Sequence, residues 1–199
     1  MTSGPSESGK SVGETLWAVS QRSRLPLLGI NTVDSGPSAY QACKLFNGKY
    51  YKLGTTNGFG LALFAHVEEP DEALAILRII EEQMIMPALG TVSPGHHLTL
   101  QATMEKVAAM HPMRRSLLAF YDQISDQDGM LRPIIRKYTR HELGNIIDSN
   151  VDTFDVCRWN VLDIRDIIGL QPHFLGAIYR AIIHKCFSQV ERLKKRMGA

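Results

Sequence analysis

Residues 4–11, GPSESGKS, fit G-x-x-x-x-G-K-[ST], the pattern of a phosphate-binding P-loop. In such a loop backbone amides wrap phosphate oxygens, the lysine neutralises them and the serine holds magnesium. That geometry needs a buried strand before the loop and a helix after it. Only Met1, Thr2 and Ser3 precede it here, too few for the central strand of a parallel sheet, and no βαβ pattern is evident downstream. The expectation is a Ser/Gly-rich tail that matches by coincidence, with no cofactor.

Other chemistry-bearing residues meet similar objections. Asp148-x-Asn150-x-Asp152 opens like a calcium-binding EF-hand loop, but Thr153 and Trp159 stand where that loop needs glycine and a bidentate glutamate. Capping and turn polarity explain these residues better, so no metal is expected. None of the seven histidines sits in an HxxxH or HExxH pattern. His96-His97 falls in a predicted loop. His184 and Cys186, two apart on a helix, point to different faces. Cys43, Cys157 and Cys186 are expected to act as small buried hydrophobes, and no GxSxG elbow accompanies them. Glu68-Glu69 and Glu81-Glu82 read as solvated faces. Gly54, Gly58 and Gly60 are accounted for by turn chemistry. No catalytic residue is therefore assigned.

The basic rows remain. Arg132, Arg136 and Arg140 are spaced by four, while Lys185, Arg192 and Arg196 fall on one side of a 3.6-residue helix. Arg114 and Arg115 add a third cluster. Lys/Arg at helical spacing can track a phosphate backbone through salt-dependent attraction, although cations near a helix C-terminus also complement its dipole. Net charge is only +2, but it is uneven: residues 1–100 hold 7 basic against 9 acidic side chains, and residues 101–199 hold 15 against 11. An anionic partner for the second half is consistent with that asymmetry.

The chain has 199 residues, 44% of them apolar, enough for a real core. Three scattered cysteines and the absence of a CxxC pair argue against a disulfide framework. No apolar run approaches the roughly 20 residues of a membrane span. An intracellular setting is expected.

The elements that must position these residues follow from pattern. Residues 1–13 read as a flexible tail and 14–199 as a single domain. Residues 25–39 read as a loop with a short extended piece. Asn47-Gly48, between AYQACKLF and KYYKL, is the strongest short hairpin signal, because both turn residues must tolerate positive φ. With the later turn GTTNG it predicts an antiparallel β-meander over about 40–66, with strands near 41–46, 49–53 and 59–66. From Pro70 the period is helical. Helices are expected from Asp71 to Pro87, over 99–110 and 112–124, from Pro133 to about Gly144, from Asp155 or Thr153 to about Ile168, and from Gln171-Pro172 to about Arg196. The fold expectation is mainly α, a bundle-like helical body with a small N-terminal antiparallel β-meander.

The functional expectation is a non-enzymatic, self-associating protein that binds RNA or DNA through backbone charge, by loose analogy with helical coat or nucleocapsid proteins. Its contacts would be Arg132, Arg136, Arg140, Lys185, Arg192 and Arg196, with Arg114 and Arg115 secondary. The alternatives are a helical protein-interaction module without nucleic acid, and an enzyme whose site is assembled from distant residues.

Overall fold

The structure is a computed structural model. It describes residues 17, 20, 30–35, 38–54, 58–125, 129–155 and 159–197. The tail expected over residues 1–13, with its GPSESGKS motif, lies outside the described residues, as does Cys157. The chain divides into two compact units: Met1–Leu53 with Asp155–Ile168, and Gly54–Phe154 with Gly169–Ala199.

The first unit holds β1 (Ile30–Asp34), α1 (Tyr40–Leu45), β2 (Lys49–Lys52) and β3 (Trp159–Asp163). The strands form one sheet in the order β1-β3-β2, and both pairings are parallel. The expected antiparallel meander is therefore wrong, and mostly helical is the part that stands. Two physical causes account for the error.

The first is Asn47-Gly48. Asn47 does adopt positive φ, at 55°, but as the residue that ends a helix. The Gly48 N–H donates to Cys43 O at 2.7 Å and the Asn47 N–H to Lys44 O at 3.1 Å. These are the paired bonds of a Schellman cap, which uses the same left-handed residue that a tight hairpin does. A Cβ on Gly48 would lie 2.7 Å from Trp159 O and 2.8 Å from Cys43 Sγ, so only glycine fits there. AYQACKLF is thus a helix, and β2 leaves it to run parallel.

The second cause is β3. WNVLD falls within the helix expected from Asp155 or Thr153 to about Ile168, yet it is the middle strand. Every one of its residues is buried, as expected for a parallel strand covered on both faces, which shows no alternation to betray it. Trp159 and Val161 pack with Ala39 and Cys43. Phe46 stacks on the Trp159 ring at 5.6 Å. Parallel neighbours need long crossovers, and between β2 and β3 the chain runs through residues 54–154 of the second unit.

The second unit is helical: α2 (Pro70–Ile79), a π segment (Ile80–Ile85), α3 (Met86–Leu89), α4 (Pro94–Ala108), a 3-10 turn (Pro112–Arg114), α5 (Leu117–Gln123), α6 (Leu131–Arg136), α7 (Arg140–Leu143) and α8 (Pro172–Met197). Residues 59–66, expected as a strand, are irregular over 59–62 and turn over 63–66. Phe64, Ile76, Ile80, Met84, Phe120, Ile135, Tyr138 and Ile178 are among its fully buried side chains. Ser93 and Ser116 cap α4 and α5, accepting from His96 N and Ala119 N at 3.1 Å each.

Pro87 was expected to end the first of these helices, yet the helical path continues through it. Proline has no N–H to offer the carbonyl four residues earlier, Gln83 O. The hydroxyl of Tyr138, itself 1% exposed, donates to that carbonyl at 3.2 Å. The orphaned acceptor is thereby satisfied, and the π segment absorbs the change of register.

Candidate functional site

In open parallel sheets, ligands bind outside the carboxyl ends of the strands. In the first unit those ends carry Asp34, Asp163 and Lys52, which share one line of the register. Asp34 Oδ2 accepts from Ser38 Oγ and Ala39 N, both at 2.9 Å, at the start of α1. Asp163 is 3% exposed. Its carboxylate accepts from Tyr50 Oη at 2.7 Å, from Arg165 N and Nε at 3.1 Å and from Arg165 Nη2 at 2.6 Å.

Burial alone would raise the Asp163 pKa, but the hydrogen bonds from Arg165 and Tyr50 outweigh it and hold the group at about 2. Tyr50 is pushed up to about 12 by burial and by its bond to the Asp163 carboxylate. The result is an anion fixed in its ionised form at the sheet edge, with an arginine oriented on it. Such an edge can position a polar or charged ligand. Neither Asp34, Asp163 nor Arg165 was singled out from sequence. The available signal was the recurrence of Asp at the ends of the apolar runs INTV and WNVL.

The basic rows meet a different fate. Arg132 and Arg136 lie on α6, but α6 ends there and Arg140 opens α7, so the three do not share a helix. The Arg140 backbone N–H donates to Asp148 Oδ2 at 2.7 Å, and its Nη2 reaches Asn150 Oδ1 at 3.0 Å. Arg132 lies over the Tyr121 ring at 4.6 Å. Arg115 is 7% exposed and binds Met110 O, Ala108 O and the Glu68 carboxylate. Lys185, expected as a nucleic-acid contact, is 4% exposed and bonded to Ala62 O and to Asp152 at 2.6 Å. Arg192 pairs with Glu72 at 2.6 Å. Arg114 and Arg136 are exposed. The side chain of Arg196 lies outside the described residues.

The helical spacing was right for α8, but spacing does not say which side of a helix faces the core. Lys185 and Arg192 point inward because Asp152 and Glu72 await them. Glu72 also binds His184 Nε2 at 2.8 Å and the hydroxyl of Ser188. The Asp148–Asp152 segment likewise acts as a brace. Asp148 Oδ1 accepts from Leu118 N at 3.0 Å, Asp152 Oδ1 from Ala62 N at 2.8 Å, and Thr153 Oγ1 from Gly60 N at 2.8 Å. His97, one of the loop histidines, sits on α4 and meets Glu81 at 2.6 Å. Cys43 is buried, and burial pushes the half-buried Cys186 thiol up. No helix among the described residues is long and apolar enough to cross a membrane.

No protein-family model matches the chain, and no curated protein matches it. Among solved structures the chain is similar in fold to VirB4 of Thermoanaerobacter pseudethanolicus, with a TM-score of 0.66 over 94% of this chain at 11% identity. The chain spans 55% of that structure's own chain. The likeness is one of fold. It corrects the expected coat-like RNA- or DNA-binding protein, since the chain is similar in fold to VirB4. Four of the eight basic residues that suggested a coat protein, Arg115, Arg140, Lys185 and Arg192, are ion-pair partners within the second unit.

Proposed function

We propose that this chain is the nucleotide-binding part of an ATPase-like protein, with the triphosphate held by residues Gly4–Ser11. VirB4 is a type IV secretion ATPase, and the chain resembles it in fold along almost its whole length. The single observation that carries the reading is the all-parallel sheet in the order β1-β3-β2. A parallel α/β framework is one of a P-loop's requirements, and its supposed absence downstream was the second of the two objections to GPSESGKS.

In this reading Lys10 would neutralise the phosphates and the Ser11 hydroxyl would be the magnesium ligand, as the G-x-x-x-x-G-K-[ST] pattern implies. The carboxyl edge of the sheet, with Asp34, Asp163 and Arg165, is the side on which parallel sheets receive ligands.

The test is titration of a fluorescent ATP analogue with magnesium into the wild-type protein and Lys10→Ala. Saturable binding that Lys10→Ala weakens at least tenfold, and that unlabelled ATP or ADP displaces, supports the reading. Equal binding by both proteins, or none by the wild type, overturns it.

A further inference from the structure

Within the second unit, α2 and α8 enclose a cavity of about 210 Å³ lined by Ala75, Arg78, Ile79, Arg180, Ile183 and Phe187, with His184 at its wall. Glu72 meets Ser188 and Arg192, whereas Arg78 and Arg180 stand together at the other end, so the two helices run antiparallel. Exposure along this face is unusual for side chains so apolar. Phe187 is 68% exposed, Ile183 48%, Leu74 47% and Val190 38%. Arg180, Ile183, Phe187 and Val190 follow steps of three and four, one continuous stripe on α8.

Three features define what fits. The cavity is smaller than the roughly 300 Å³ and more of ordinary small-ligand sites, so it takes a side chain rather than a whole ligand. The stripe from Arg180 to Val190 is about 15 Å long at 1.5 Å per residue, the reach of about three helical turns. Arg78 and Arg180 are exposed, and neither side chain has an ion-pair or hydrogen-bond partner among the described residues. No carboxylate lines the cavity between them. By contrast Arg115, Arg140, Lys185 and Arg192 all have acidic partners within the unit.

We propose that this groove docks an acidic amphipathic helix of a partner protein. The helix places one large apolar side chain in the cavity and others along Ile183, Phe187 and Val190. Its carboxylates meet Arg78 and Arg180, and its C-terminal end, negative through the peptide dipoles, suits the same two guanidinium groups.

The probe is a fluorescein-labelled peptide of about 14 residues with leucines at i, i+3, i+4 and i+7 and glutamates between them, compared with a twin carrying lysine for glutamate. In fluorescence anisotropy the acidic peptide is expected to bind at least tenfold tighter than the basic one. Phe187→Asp should abolish binding, with circular dichroism unchanged because the ring is exposed. Arg78→Glu/Arg180→Glu should reverse the preference towards the basic twin. Absence of binding by the acidic peptide, equal binding of the two, or indifference to the double charge reversal overturns the proposal. So does a doubling of mass in light scattering that Phe187→Asp removes, which would give the groove to a second copy of the chain. None of these outcomes depends on whether the protein binds a nucleotide.

Discussion

Arg165 Nη2 lies 2.6 Å from Asp163 Oδ2, and the carboxylate of the pair is buried while the guanidinium is 43% exposed. A residue at the end of the central strand thus holds an arginine in place two positions further on. The arrangement has a pH signature. Asp163 sits at about 2, below its ordinary 3.8. A carboxylate with a depressed folded-state pKa adds stability that is fully present above the unfolded value and fades as pH falls through the folded one. The contribution should therefore be intact above about pH 4 and vanish towards pH 2. Asp163→Asn should cost about 2 kcal/mol at pH 7, the scale of a lost charge-assisted hydrogen bond, and should flatten this acid limb. Urea denaturation of both proteins between pH 7 and pH 3 measures it. An identical acid limb in the variant would refute the assignment.

Glu72 is the second such anchor. Burial alone would raise it, but hydrogen bonds from His184 and Ser188, with the charges of His184 and Arg192, hold it at about 2. It joins α2 to α8, so its loss should loosen that helix pair. Breaking a largely buried pair from one side costs about 3 kcal/mol. Glu72→Ala and Arg192→Ala should each destabilise the protein, and the double variant should lose about 1–3 kcal/mol less than the sum. Strict additivity in a double-mutant cycle would mean the 2.6 Å contact carries no energy.

Gly60 marks a close approach. A Cβ there would lie 2.7 Å from Ser149 Cβ, where the 60–62 and 146–153 segments exchange backbone hydrogen bonds. Gly60→Ala should cost about 1–3 kcal/mol through overpacking. Ser149→Gly opens the space, so the double variant should recover part of the loss. If Ser149→Gly gives no relief in thermal unfolding, the clash is not the cause.

Asn47 tests the helix cap. Its φ of 55° costs an ordinary L-residue about 1–2 kcal/mol. Asn47→Ala should lower the melting temperature and Asn47→Gly should leave it unchanged or raise it. A melting temperature equal for Asn47→Ala and wild type would contradict a left-handed cap.

Local chemistry was legible where one helix or cap decided it. Pro172 opening α8 and the 3.6-residue period that follows predicted that helix to within a residue or two of its 172–197 span. Of the positive φ that Asn47-Gly48 announced at both positions, Asn47 adopts it and Gly48 does not, because left-handed backbone is tolerated by such residues but not imposed by them. Whether that backbone closes a hairpin or ends a helix depends on what the preceding segment packs against. Here Cys43 and Ala39 are buried against Trp159 and Val161, more than a hundred residues away.

The same division runs through the whole protein. By itself the amino-acid sequence determined the helix opening at Pro70, the long helix opening at Pro172, and the presence of a GPSESGKS motif, since each depends on neighbours within a few positions. Only the tertiary structure decided that WNVLD is the central parallel strand, that Asp163 orients Arg165, and that Lys185 and Arg192 turn inward to Asp152 and Glu72. Strand pairing and ion pairing join residues distant along the chain, and a period or a spacing holds no information about which distant surface a side chain will meet.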